Sequence, residues 1–501
     1  MFRTSIAILL LASASHAAVT LPALLTDHMV VQRGIPVHIW GKAAPGEDVT
    51  VAFHGDSKST KTSAIGTWGV YLAPAEAGGP FEVSIKGSNQ ITLKDVLVGD
   101  VWVASGQSNM EFRLNQAANA DAEIAAAKYP KIRRFKVEHK VSEFPVDDVV
   151  GKPWVELTPE SAPQVSAVAY FFVKNLFESP TSPAKGVPQG IIDSSWGGTP
   201  VEAWTSYRAL SSDPALLPAF TEWAASMEAF PTVKARYDVS LATWNEASEA
   251  AKKSGAKPPA KPALPGTIPG GPWEPAGLYN GMIAPLVPYG IKGAVWYQGE
   301  SNASPSRAPV YAREFQAMIR DWRKAWGEGD FPFLFVQLAN YKANINWPDI
   351  REAQRQTLSL ANTGMAVTID VGNPTNIHPT NKQDVGLRLA LAARANVYGE
   401  KVEFSGPTLR AAARDGSGLR LWLDHANGLN AKGGGALKGF EIAGANKQFV
   451  AADARIEGGT IVVSSASVAE PAYVRYAWAD NPECNLYNAE GIPASPFRSF
   501  E

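Results

Sequence analysis

The chain has 501 residues, 45% of them hydrophobic and 19% charged, an ordinary globular composition with material for two or three cores. Lys and Arg number 46 against 48 Asp and Glu, a formal net charge of -2, which argues against a nucleic-acid backbone or an anionic membrane surface as partner. The single cysteine, Cys484, excludes an intramolecular disulfide and is read as structural.

Residues 1–17 carry Arg3, an apolar run over 6–12, and small residues at Ser15 and Ala17, the pattern of a secretory signal peptide. Export to the periplasm or beyond is therefore expected. No later run approaches the roughly 18 apolar residues of a membrane span, so no membrane partner is expected. Residues 18–95 show short β segments at 36–40, 49–53, 68–72, 81–85 and 91–93, separated by Pro-Gly, Gly-Gly and Gly-Ser turns, which predicts an N-terminal β-sandwich module. From 96 to 404 the pattern is strand then helix: strands near 96–103, 190–193, 293–297, 333–337 and 365–369, helices near 165–177, 309–326, 350–360 and 384–398. Such alternation predicts an α/β domain, a parallel sheet covered on both faces with functional groups at the C-terminal ends of its strands. An excursion over 209–273 interrupts it, helical in composition over 216–251 and then rich in Pro, Gly, Ala and Lys. After 404 the β pattern returns at 419–423, 439–442, 460–463 and 472–478, a second β-rich module over 405–501.

Four stretches carry chemistry. The apolar run Val101-Trp102-Val103 feeds Ser105-Gly106-Gln107-Ser108-Asn109, a strand-to-helix turn that can hold the Ser108 side chain proud of the sheet. Trp196-Gly197-Gly198-Thr199, Gln298-Gly299-Glu300-Ser301-Asn302 and Asn376-Ile377-His378-Pro379 follow other predicted strands. Ester cleavage needs a nucleophile, a base and donors for the developing oxyanion. Ser108 is the candidate nucleophile. Of seven histidines only His378 sits in a polar loop between a sheet strand and a helix, which makes it the candidate base. Oxyanion donors could be the Ser108 N–H, an N–H at Gly197 or Gly198, and the side-chain amide of Gln298 or Asn302. Gln107, Asn109, Glu300 and Asn302 are polar groups suited to substrate hydroxyls. No His or Cys cluster has metal-ligand spacing and no phosphate loop is present, so neither metal nor cofactor is expected.

Taken in order, G-Q-S-N-M-E-F, S-W-G-G-T-P-V-E-A-W, W-Y-Q-G-E-S-N and N-I-H-P-T-N-K-Q-D-V-G resemble the sialate O-acetylesterase family of the SGNH hydrolases. The closing Asn485-Leu486-Tyr487-Asn488 and Gly491-Ile492-Pro493 resemble its C-terminus, so the resemblance covers nearly the whole chain after residue 17. It implies an SGNH-type, flavodoxin-like three-layer domain flanked by β-sandwich-like modules. It also implies a serine esterase that removes O-acetyl groups from carbohydrate, either acetylated sialic acid or a hemicellulose such as xylan or xyloglucan, and it favours Gly197 over Gly198 as donor. SGNH enzymes commonly place an Asp three residues before the histidine, and here Thr375 stands there. The enzyme then resembles a Ser-His dyad whose His378 is oriented by a backbone carbonyl or by a carboxylate from elsewhere, with Asp370, or less directly Glu300, as the candidate carboxylate. Asp193, Asn280, Glu202, Arg351 and Gln354 resemble family positions and are read as loop braces. Competing readings are another acyl hydrolase of lipase or thioesterase type, and a non-catalytic carbohydrate-binding protein suggested by 15 tryptophans. The oligomeric state is not fixed by any of these features.

Overall fold

The computed structural model describes residues 18–264 and 267–499; the expected signal peptide over 1–17 lies outside them. At its centre runs one 17-residue strand, Gln90–Gly106. Its first half pairs antiparallel with Gly78–Lys86 and its middle parallel with Val30–Gln32. Its second half lies parallel between Gln189–Ser195 and Gly293–Tyr297. The expected boundary at 95/96 therefore falls inside a strand. Asp95 there has φ 55°, and Arg133 holds it through Nη2 to the Asp95 carboxylate at 2.9 Å. The N-terminal strands accordingly build no core of their own: Val49, Val51, Val83 and Ile85 belong to the same apolar cluster as Val103 and Phe335.

The sheet runs in the order Thr363–Ala366, Phe333–Val336, Gly293–Tyr297, Gln90–Gly106, Gln189–Ser195, Tyr129–Val137, Gly151–Leu157. All neighbours are parallel until the last pair, which is antiparallel. The sheet is thus mixed, and Tyr129–Val137 and Gly151–Leu157 are strands that the apolar pattern does not predict. Side chains alternate across a strand, and large aromatics anchor helices on both faces. Trp102 meets Phe172 of the Ala167–Glu178 helix edge-on, 4.9 Å between centroids. Against that helix the Gln383–Asn396 helix packs so closely that a Cβ on Gly386 would stand 2.4 Å from the Phe171 Cβ. Trp296, on the opposite face, packs on Phe315 and Trp322 of Tyr311–Trp326. The excursion contributes a 37-residue helix, Pro218–Ser254, whose one buried residue is Ser248.

After residue 404, two antiparallel sheets, one containing Gly418–Asp424 and Thr460–Ser464, the other Phe440–Ala443 and Tyr473–Tyr476, close over their own core of Leu421, Ile461, Phe440 and Val474. Arg351 joins this module to the α/β body. Fully buried, it donates to the carbonyls of Leu338 and Ala339 on one side and of Ala479 and Asp480 on the other, all at 2.7–2.8 Å. Burial pushes its pKa down to about 9, and the four carbonyls are what keep a cation there. Gln354 braces in the same way, accepting from the Leu338 N–H and donating to the Gln298 carbonyl. Arg351→Ala leaves the Leu338 and Ala479 carbonyls without a donor, while Ala339 and Asp480 keep the Trp347 indole and the Tyr341 N–H, and should lower unfolding stability by about 3 kcal/mol, read as a fall in the urea midpoint. An unchanged midpoint would show that the clamp does not hold the modules together.

Candidate active site

Three of the four motifs meet because their strands end side by side. Gly106, the last residue of the central strand, is the register partner of both Ser195 and Tyr297. A Cβ at Gly106 would stand 2.2 Å from the Tyr297 carbonyl oxygen, and its φ is 134°, so only glycine fits. The turn is stitched to both neighbours: the Trp196 N–H donates to the Gly106 carbonyl at 3.0 Å and the Gln107 N–H to the Tyr297 carbonyl at 2.9 Å. Ser108 then opens the short helix Ser108–Glu111, where its N–H has no intrahelical acceptor.

The fourth motif closes over this turn. His378 Nε2 lies 2.8 Å from Ser108 Oγ, the geometry of a base and its nucleophile. Burial first, and then the charge of Lys382, hold the imidazole pKa below 6.5. Its loop is built from Asx turns: Asn373 Oδ1 accepts from Thr375 N and Asn376 N, and Asn376 Oδ1 accepts from the His378 N–H. Asp370 does not serve His378 here. Its two oxygens take a bidentate pair from Arg388 at 2.6 and 2.9 Å and a hydroxyl from Tyr487 at 3.2 Å, tying the sheet edge to the C-terminal segment.

Asn109 joins nucleophile and base. Its Nδ2 donates to Glu300 Oε1 at 2.7 Å and to the carbonyl of Ile377, the residue before His378, at 3.0 Å. Its Oδ1 accepts from Lys382 Nζ at 2.5 Å. Lys382 is buried over the rings of Phe112 and Tyr297, and desolvation pushes its pKa down to about 7. The same burial raises the Glu300 carboxyl. The sequence offers Lys382 as an ordinary charge four residues after the histidine; only the fold makes it a buried one.

The remaining candidates are placed differently from expectation. Gln107, Asn109, Glu300 and Asn302 are 3%, 2%, 8% and 0% exposed, so they stand behind the site's surface. Gln107 Oε1 accepts from the N–H groups of Gly299 and Ser301. Gln298 spends its amide on the Thr199 carbonyl and Asn302 Oδ1, which removes it as an oxyanion donor. Asn302 in turn donates to Glu202 and accepts from the Val201 N–H. Gly197 is the glycine that touches the nucleophile, since a Cβ there would stand 3.2 Å from the Ser108 Cβ, whereas one at Gly198 would meet nothing. Its N–H, however, donates to Glu111 Oε2 at 2.7 Å. Glu111 is held from the other side by His139 Nε2 at 3.0 Å, and the His139 ring stacks on Trp196 at 4.1 Å. Neither Glu111 nor His139 is assigned a role by the motif alone.

Among the described residues, one group of metal-type ligands comes together: His28, Asp95 and Glu156. Arg133 pairs with Asp95 at 2.9 Å and Glu156 at 3.5 Å, so a cation already answers those carboxylates, far along the central strand from Ser108.

Residues 266–396 match the family described as carbohydrate esterase, sialic acid-specific acetylesterase. The sialate O-acetylesterase of Mus musculus is 32% identical over 528 residues, covering 94% of this chain and 93% of that protein. The human sialate O-acetylesterase is 31% identical, covering 92% and 88%. A crystal structure of a carbohydrate acetylesterase from Xanthomonas citri superposes with a TM-score of 0.82 at 40% identity, over 96% of this chain and 100% of that one.

Asn109→Ala cuts the tie between the Ser108 turn and the His378 loop and strands Lys382. Hydrolysis of an activated aryl ester should then fall by about 10- to 100-fold in kcat, with the fold retained by circular dichroism. Full activity in that variant would mean that the dyad is positioned without Asn109.

Proposed function

For a chain that belongs to the sialate O-acetylesterase family and is a carboxylic ester hydrolase acting on carbohydrate O-acetyl groups, we propose a Ser108–His378 dyad working through an acetyl-enzyme. The observation that carries this reading is the 2.8 Å separation of His378 Nε2 and Ser108 Oγ at the end of the central strand. A neutral imidazole accepts the hydroxyl proton as Oγ attacks the acetyl carbon. Negative charge gathers on the carbonyl oxygen, which the Ser108 N–H meets, joined by the Gly197 N–H when Glu111 gives it up. Collapse breaks the bond to the sugar oxygen, and the imidazolium returns its proton to that oxygen. Water then repeats the sequence on acetyl-Ser108, releasing acetate and restoring the dyad. The low pKa of His378 suits this cycle, because the resting imidazole is the unprotonated base at neutral pH.

The finer architecture in this proposal is an SGNH-type, flavodoxin-like three-layer domain that the 18–95 strands join through the central strand and its shared core, followed by a β-sandwich-like module at 405–501. The substrate is an acetylated glycan, either sialic acid or a hemicellulose such as xylan or xyloglucan, met outside the cytoplasm after loss of residues 1–17. Among the described residues no helix is long and apolar enough to cross a membrane.

Purified protein incubated with acetylated sialosides, xylan and xyloglucan fragments should release acetate from at least one of them. Ser108→Ala should lose at least about 1000-fold of that rate, the scale of removing a nucleophile. Retained release in the variant would remove Ser108 from the mechanism. Silence on every glycan with retained binding would favour a lectin-like role.

A further inference from the structure

The excursion returns to the α/β body at Trp273, and it returns beside the nucleophile. The indole Nε1 donates to the Gly198 carbonyl at 2.7 Å, one residue beyond the glycine that touches Ser108. That bond uses the ring's only polar group, so the rest of the indole is an apolar plane. The Arg307 guanidinium covers the ring at 4.6 Å from its centroid. Arg307 is fixed in turn by Glu202 at 3.6 Å, from the segment after the Gly197-Gly198 turn, and by Glu222 at 3.4 Å, from the long Pro218–Ser254 helix. The ring is half-buried: held at its edge and from above, with surface left over. On the other side of the same turn Trp196, also half-buried, lies flat on His139.

A buried brace would not need this arrangement. The braces of the site are amides and carboxylates deep behind it, whereas Trp273 is a rigid aromatic plane at the surface, locked in orientation by three segments. Aromatic planes of this kind take the apolar C–H face of a sugar ring while polar neighbours meet its hydroxyls. The acetyl carbon must sit over Ser108, and the Gly197-Gly198 turn lies beside Ser108, so a sugar that projects across that turn meets the indole held on it. We propose that Trp273, oriented by Arg307, is a specificity-determining residue that receives the pyranose ring of the acetylated glycan, and that the excursion exists in part to deliver it. This rests on the carbohydrate esterase reading above. The same ring chemistry is offered by a neutral hemicellulose and by a sialoside.

The test compares Trp273→Ala and Trp273→Phe with wild type on three substrates: 4-nitrophenyl acetate, an acetylated neutral oligosaccharide and an O-acetylated sialoside. Expected for Trp273→Ala is a rise in KM of about ten-fold on whichever glycan the wild type hydrolyses, with kcat within about two-fold and a clearly smaller change in KM for the aryl ester. Trp273→Phe, which keeps a ring without the N–H anchor, should recover most of the glycan KM. The glycan arm that responds identifies the source of the pyranose. Equal losses on aryl and glycan esters, accompanied by a lower melting temperature, would overturn the proposal in favour of a purely structural anchor. Unchanged glycan KM would overturn it as well. Wild-type turnover of the aryl ester alone would overturn the carbohydrate reading itself, and it is told apart because the wild type, not the variant, is then silent on glycans.

Discussion

One side-chain amide, Asn109, sets the distance between nucleophile and base. It is the residue after Ser108, and it bonds the residue before His378, the carboxyl of Glu300 and the ammonium of Lys382. These partners come from two other segments of the chain, one at 300 and one at 377–382, and the two charged side chains are each alone poor residents of a protein interior. An isolated buried carboxylate or ammonium costs several kcal/mol even after relaxation; linked through a shared amide, the two are tolerable together. The sheet supplies the complementary constraint. Because Gly106 is in register with both Ser195 and Tyr297, the turns that follow these three residues must open side by side.

The consequence for chemistry is an unusual setting for the base. In a serine triad a carboxylate beside the imidazole stabilises the imidazolium. Here Thr375 occupies the expected position and turns to Asn373, Asp370 is committed to Arg388 and Tyr487, and the charged group that acts on His378 is the cation Lys382. The base is kept neutral by burial and by that cation, which favours the state that accepts a proton and makes the protonated intermediate harder to form.

The parts of the sequence that could be read directly were those whose signal is local. An apolar β run ending at a glycine marked the strand before Ser108, and the same logic marked the turns at Gly197 and Gln298. Strand Tyr129–Val137 escaped because its signal is not local: Lys131, Arg133, Arg134 and Lys136 look like a solvated surface, yet Arg133 and Arg134 are buried. Their partners are Asp95 and Asp193, distant in sequence. The same limit applies at the site. Gln298 and Asn302 have the right functional groups for binding, but their hydrogen bonds are taken by Thr199, Glu202 and Val201, and nothing near them in sequence announces it. The boundary at 95/96 was misplaced for a related reason. A change of composition occurs there, but the backbone passes through it as one strand, bent at Asp95.

The account stands most directly on the protonation of His378, which the pH dependence of kcat/KM for 4-nitrophenyl acetate reports for the free enzyme. The imidazole must be neutral to act, so activity should rise with pH along an acid limb whose midpoint lies below 6.5, following the downward shift of His378. Replacing Lys382 by Met removes the nearby positive charge and should move that limb upward. An acid limb at or above 6.5 in the wild type, unmoved in Lys382→Met, would mean that a carboxylate serves the imidazole after all and would contradict the account.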